Sequence, residues 1–219
     1  MMRPIARKTG SSGSRRRIMD AAIRSYRQIG YRKTSVADVA RGASMSPANV
    51  YRFFPSRQSL EEAVVAETLE KILIAAAAAG LGDAPALQRL SATLSTLSQL
   101  HQDRLVNDAR LNELVVAAVH SDYPVMLSYA DKARDVVQSI IVAGQANGEI
   151  RSGSPMALTC CLLDAMDAYV GPSPTKSLTV RPTFEEMMKF CTAALRTAKP
   201  LQPVGRQRNL SSVAILYQS

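Results

Sequence analysis

Between Ser46 and Arg57 the chain reads SPANVYRFFPSR, and this stretch sets hydrogen-bonding and cationic side chains among small ones. The Asn49 amide both donates and accepts, and Arg52 and Arg57 carry forked donors that suit phosphate. Tyr51 adds a phenolic hydroxyl. Ser46, Pro47 and Ala48 are small enough to let a backbone come close to another surface. Such a set breaks no bonds; it suits the reading of base edges and phosphates. The stretch also holds the chain's only adjacent Phe pair. Val50, Phe53 and Phe54 fall three and four apart, on one face of a helix. One face therefore anchors, and the other is left to touch a partner.

Groups for catalysis are sparse. There are two His, His101 and His120, and three Cys, Cys160, Cys161 and Cys191. Their spacing matches no zinc or thioredoxin-like pattern, and no Gly-rich phosphate loop or nucleophile elbow occurs. No metal, cofactor or enzymatic activity is expected. The odd Cys count argues against a disulfide framework and for buried thiols in a reducing compartment.

Helices must position the SPANVYRFF face. Ser46 is a good N-cap, and Pro47 suits the first helical position, where an N–H has no partner anyway. Upstream, Ser35 and Asp38 have the spacing of a capping box, and Val36, Val39 and Ala40 give a two-turn helix its inner face. A longer helix fits about Ser14 to Ile29, ended by Gly30. Downstream the signals predict helices from about Arg57 to Ala79, from Asp83 as a cap to near Asn107, from about 110 to 121, and from Tyr123-Pro124 to Ala146. Ser154-Pro155 opens another. A Pro-rich loop spans Gly171 to Pro182, and Thr183 with Glu186 caps a last helix. Residues 1–13 read as a flexible basic arm and 200–219 as a flexible tail. No strand-period run or internal repeat appears.

Charge is concentrated at one end. Residues 1–60 carry 13 Lys and Arg against 2 Asp and Glu, and residues 61–219 carry 14 against 16, within a formal net charge of +9. A basic head on a near-neutral body points to an anionic partner for the head. The apolar run starting at Ile72 is far below the roughly 18 residues that span a membrane. SRRRIM (14–19) faintly echoes a twin-arginine export signal, but Asp20, Arg24 and Arg27 interrupt the segment that would have to be apolar. A cytoplasmic location is therefore expected.

Two short helices joined by a tight turn are the layout of a helix-turn-helix. The stretch TSVADVARGASMSPANVYRFFPSRQSL (34–60) resembles the DNA-binding region of TetR-like (tetracycline-repressor-like) transcriptional regulators. Thr34-Ser35, Val39-Ala40, Ala43, Ser46, Tyr51, Phe54 and Leu60 sit where that family's pattern expects them. The match spans about residues 14–62. Ser44 stands where the family has its turn Gly, at a position that needs positive φ. Arg57 replaces the usual Lys. The resemblance implies an all-α fold, with a three-helix helix-turn-helix DNA-binding domain at 14–56 and a helical effector-binding and dimerisation domain at 57–199. It implies DNA contacts from Thr34, Ser35, Ser46, Pro47, Ala48, Asn49, Tyr51, Arg52 and Arg57. It also implies a homodimeric repressor on a palindromic double-stranded operator, with half-sites roughly 34–36 Å apart, released by a small molecule.

The implied dimer face lies on the last two helices, through Leu158, Leu162, Ala165, Tyr169, Met187, Met188, Cys191 and Leu195. Their stripes look too apolar for lone surface helices. The implied effector cavity has His101, Tyr123, Met126, Tyr129 and Met166 as candidate lining. For the two Met the commoner alternative is core filling, for His101 a surface or capping place, and for Tyr123 packing at a helix start. Few charges fall in these stripes, which favours an apolar or amphipathic ligand. Two alternatives remain: a helical DNA-binding protein without an effector, and a basic module bound to a membrane surface. The basic segment 14–33 lacks the large apolar face that the second would need.

Overall fold

The computed structural model describes residues 8–172 and 180–197. The expected tail at 200–219, and the first seven residues of the expected arm, lie outside the described residues. Within them the chain forms α1 (Lys8–Ile29), a 3-10 turn (Tyr31–Lys33), α2 (Val36–Gly42), α3 (Pro47–Phe53), α4 (Arg57–Ala79), α5 (Ala86–Asn107), α6 (Ala109–His120), α7 (Pro124–Ala146), α8 (Pro155–Val170) and α9 (Phe184–Leu195). Among the described residues there is no strand, only an isolated bridge between Ile150 and Arg196. The all-α expectation is borne out.

Local chemistry sets most helix starts. Ser35 and Asp38 close the capping box of α2, Ser56 with Ser59 that of α4, and Thr183 with Glu186 that of α9. Each satisfies N–H groups that a helix start leaves without partners. Two expectations shift. Helix α1 begins at Lys8, six residues before the expected start at Ser14. Helix α5 is not capped by Asp83: its N-cap is Pro85, without a side-chain cap, and the Ala86 N–H is met by Glu149 Oε2 at 2.5 Å.

The first three helices make a small head. Ile18, Ala22 and Tyr26 of α1, Val39 and Ala40 of α2, and Val50 and Phe54 at α3 are all buried, with α1 packed on α2 and α2 on α3. Helix α4 leaves the head at Arg57 and runs into the body, where it packs on α5 and α7. Leu60, Val64, Val65 and Leu69 carry one continuous core from head to body. Two glycines permit close crossings there. A Cβ on Gly80 would lie 2.3 Å from Thr93 Oγ1, and one on Gly144 2.6 Å from Ala86 Cβ. No described helix is long and apolar enough to cross a membrane.

Candidate nucleic-acid interface and body cleft

The two faces of α3 separate cleanly. Ser46 caps the helix, its Oγ accepting from the Asn49 N–H at 3.3 Å, and Pro47 takes the first turn. Val50 is 1% exposed and Phe54 2%, so the helix is held from behind. Ser46, Pro47, Ala48, Asn49 and Arg52 are exposed, as is Tyr51 at 47%. Asn49 Oδ1 and Arg52 Nη1 lie 3.5 Å apart, so the amide and the guanidinium present together. Ser35, capping α2, is exposed too, and its Oγ donates to Asp38 Oδ2 at 2.6 Å. The turn into α3 passes through Ser44 at φ 55°, the left-handed conformation that the replaced Gly would adopt freely.

Two candidate contact residues already hold partners within the chain. Thr34 is 2% exposed and donates to the Gly30 carbonyl at 2.9 Å, closing the α1–α2 turn rather than facing outward. Arg57 turns inward. Its Nε meets Glu61 Oε1 at 2.8 Å, and its Nη2 donates to the Tyr31 carbonyl at 2.7 Å. The hydrogen bond to Glu61 is the main reason its pKa is raised. Two exposed cations near the same end escaped the sequence reading. Arg15 sits 4.7 Å over the Phe54 ring, and Lys33 closes the 3-10 turn before α2. Arg15 is placed only by the fold, 39 residues from its ring partner, so periodicity carries no signal for it.

The body holds a cleft of about 250 Å³ between α5, α7 and α8. Leu97, Met126, Tyr129, Ala130, Ala133, Leu163 and Val170 line it, with Cys160, and with Arg134, Asp164 and Asp167 as its charged residues. Met126 and Tyr129, two of the candidate lining residues, are among them. The other three candidates are not in the wall. Met166 is fully buried core. Tyr123 reaches the other way and donates to Glu61 Oε2 at 3.1 Å, tying the start of α7 to α4. His101 lies behind the wall, 1% exposed, with Nε2 at 2.8 Å from the Tyr129 hydroxyl and Nδ1 at 3.0 Å from Arg104 Nη1. Burial, then the Arg104 charge, pushes its pKa down to about 3, so the ring is neutral. Arg104 is itself 5% exposed; its Nε donates to Asn112 Oδ1 at 2.9 Å and its Nη2 to the Pro172 carbonyl. Among the described residues no group of three or more His, Cys, Asp or Glu could hold a metal.

The stripes read on α8 and α9 as an interface dock those helices on their own protomer. Leu158, Leu162, Met188, Cys191 and Leu195 are all buried, and Ala165, Tyr169 and Met187 pack against the same core. Tyr169 also meets Phe184 edge-on at 6.1 Å and donates to the Pro182 carbonyl at 2.5 Å. The outward faces carry instead Met156, 46% exposed, Phe190, 70% exposed, and Cys161.

Comparison with known proteins agrees with this geometry. The family model for bacterial regulatory proteins, tetR family, matches residues 18–64, and that for the tetracyclin repressor-like C-terminal domain matches residues 86–188. No curated protein matches the chain. Among solved structures, the regulator RolR, in complex with resorcinol, superposes with a TM-score of 0.58 at 17% identity, over 86% of this chain and 88% of that one. A TetR-family regulator from Rhodococcus sp. gives 0.56 at 24% identity, over 83% and 96%. A transcriptional regulator from Saccharomonospora viridis, in complex with choline, gives 0.55 at 19% identity, over 83% and 95%. Head and body are thus each matched by the same family. The chain belongs to the tetR family of bacterial regulatory proteins, transcriptional regulators with a helix-turn-helix DNA-binding domain rather than enzymes.

Proposed function

We propose that this regulator is a homodimeric repressor that sits on a palindromic operator and is released when a small molecule enters the body cleft. The observation that carries the reading is the split of α3, with Ser46, Pro47, Ala48, Asn49, Tyr51 and Arg52 outward and Val50 and Phe54 locked inward. In this reading the α3 N-terminus enters the major groove, with Asn49 at a base edge, and Tyr51, Arg52, Ser35, Arg15 and Lys33 at bases or phosphates. Thr34 and Arg57 act through the scaffold. The partner protomer meets the outward faces of α8 and α9 around Met156 and Phe190, which are too exposed and apolar to suit a lone surface.

Release is a shift between two spacings of the recognition helices. Taking the DNA-competent state from 99:1 to 1:99 needs about 5.5 kcal/mol of differential ligand affinity. Helix α4 is the lever, since it begins at the head and ends in the body. Tyr123–Glu61–Arg57–Tyr31 is a continuous polar route from α7, which lines the cleft, to the base of the head. Resorcinol and choline in the two related regulators support small-molecule control as the mode, without fixing the ligand. With no described helix suited to span a membrane, a cytoplasmic place fits a DNA ligand.

The test is duplex binding by purified protein to the DNA flanking its own gene, against unrelated duplex, across a salt series. A dimer that prefers the flanking DNA and weakens steeply with salt supports the reading. Absence of duplex binding even at low salt sinks it.

A further inference from the structure

The chain Arg104–His101–Tyr129 has a fixed direction. A guanidinium only donates, so His101 Nδ1, 3.0 Å from Arg104 Nη1, must accept. The neutral ring then carries its proton on Nε2 and donates it to the Tyr129 hydroxyl at 2.8 Å. The phenol oxygen is thus an acceptor toward His101, and its own hydrogen is left over. No described residue takes that hydrogen, although Tyr129 is 8% exposed and lines the cleft. A buried hydroxyl hydrogen without an acceptor is costly, and Tyr129 lines the cleft together with Leu97, Met126, Ala133, Leu163 and Val170, so an oxygen of a molecule seated there can take it.

Charge narrows what fits. Behind the cleft wall the buried Arg104 is held by Asn112, His101 and the carbonyl of Pro172, which lines the cleft; all three are uncharged, so its field disfavours a cation nearby. Toward solvent, Asp164 and Asp167 are exposed, and Arg134 is paired with Asp131 at 2.6 Å, so the mouth disfavours an anion. About 250 Å³ is just below the usual range of ligand sites, which limits the occupant to a small molecule. We propose that the cleft takes an uncharged, mostly apolar molecule of one or two rings and holds its oxygen acceptor on the Tyr129 hydroxyl, whose hydrogen the Arg104–His101 pair turns toward it. The inference rests on the effector-site reading above and names its ligand class. Tyr129 is the anchor, and His101 and Arg104 are positioning residues.

Four probes of one size decide it: acetophenone, isopropylbenzene, benzoate and benzylammonium, titrated into full-length protein and its Tyr129→Phe variant. Acetophenone should lose about fivefold or more in affinity on Tyr129→Phe, and isopropylbenzene should change less than about twofold. The two ions should bind wild-type protein more weakly than acetophenone. In a His120→Gln protein, whose one remaining histidine is His101, nitrogen-15 NMR should show the Nε2–H tautomer. An Nδ1–H tautomer, acetophenone binding indifferent to the hydroxyl, tighter binding of either ion, or binding of none of the four overturns the proposal. Should Tyr129→Phe not fold, the tautomer and the four-probe ranking still decide, because both use protein that keeps Tyr129. Failure of all four probes in a protein that still prefers its flanking duplex discards this inference and leaves the regulator reading standing.

Discussion

Arg27 of α1 grips Asp108, 81 residues away, with Nη2 at 2.6 Å from Oδ2 and Nε at 2.9 Å from the same oxygen. Asp108 is the single residue between α5 and α6, so the pair fastens the head to the elbow of the body. A second tie joins Arg16 to Glu67 of α4 at 3.0 Å. The Arg27 side chain is 55% exposed and Asp108 21%, which keeps the pair in reach of solvent screening. A double-mutant cycle with Arg27→Gln and Asp108→Asn, read by urea unfolding, should give a coupling of about 0.5–1 kcal/mol that shrinks as salt rises. A coupling well above that range, insensitive to salt, would mean the elbow shields the pair as a buried one.

Ser44 carries a backbone penalty in the turn before α3, at φ 55°. A non-Gly residue there costs about 1 kcal/mol or somewhat more. Gly loses part of that advantage, since it frees the unfolded chain by roughly 0.4–1 kcal/mol. Ser44→Gly should therefore stabilise the protein by about 0.5 kcal/mol in chemical denaturation. A measurable loss of stability would show that the exposed Ser44 side chain does more than tolerate the turn.

The turn was readable in advance because its signal is local: Ser46-Pro47 starts a helix whatever surrounds it, and Val50, Phe53 and Phe54 define a face by spacing alone. The capping boxes at Ser35 and Thr183 are local in the same way. What escaped is tertiary. Thr34 looks like a surface donor until Gly30 is folded beside it, and Arg57 like an unpaired one until Glu61 and Tyr31 are. The Ala86 cap comes from Glu149, 63 residues on, and no pattern near Asp83 could announce it. The stripes of α8 and α9 say that something covers Leu162 and Cys191, but periodicity cannot tell a neighbouring helix from a partner chain. For His101 the deciding neighbour is Tyr129, 28 residues along the chain.

His101 makes stability depend on pH in a known direction. Its folded pKa, about 3, lies below the unfolded value near 6.5, so in mild acid the unfolded chain binds a proton that the native ring refuses. The stability it contributes is fully present above the unfolded pKa and is lost as pH falls from about 6.5 toward 3. Between pH 7 and pH 5 the loss should be about 2 kcal/mol. Urea unfolding at both values should show it for wild-type protein and for His120→Gln, and His101→Gln should remove most of the difference. An equal difference in His101→Gln would place the pH response on other groups.

Asn49 and Val50 are adjacent in sequence and opposite in consequence. Asn49 is exposed on α3, and Val50 is 1% exposed against the head core. If α3 enters a major groove, Asn49→Ala should leave the melting temperature within error and weaken duplex binding by about 1–3 kcal/mol, mostly by relaxing preference at one base position. Arg52→Ala should weaken binding too. A uniform loss across sequences with a shallower salt slope would place Arg52 on phosphate, and a loss confined to one position would place it on a base. Val50→Ala should do the reverse of Asn49→Ala. It removes two buried methyl groups and should cost about 2 kcal/mol of folding stability, while duplex binding by the molecules still folded stays near wild type. Circular dichroism melts beside fluorescence-anisotropy titrations on operator and unrelated duplexes separate the two. An Asn49→Ala protein that binds and discriminates like wild type would mean that this face of α3 does not read sequence.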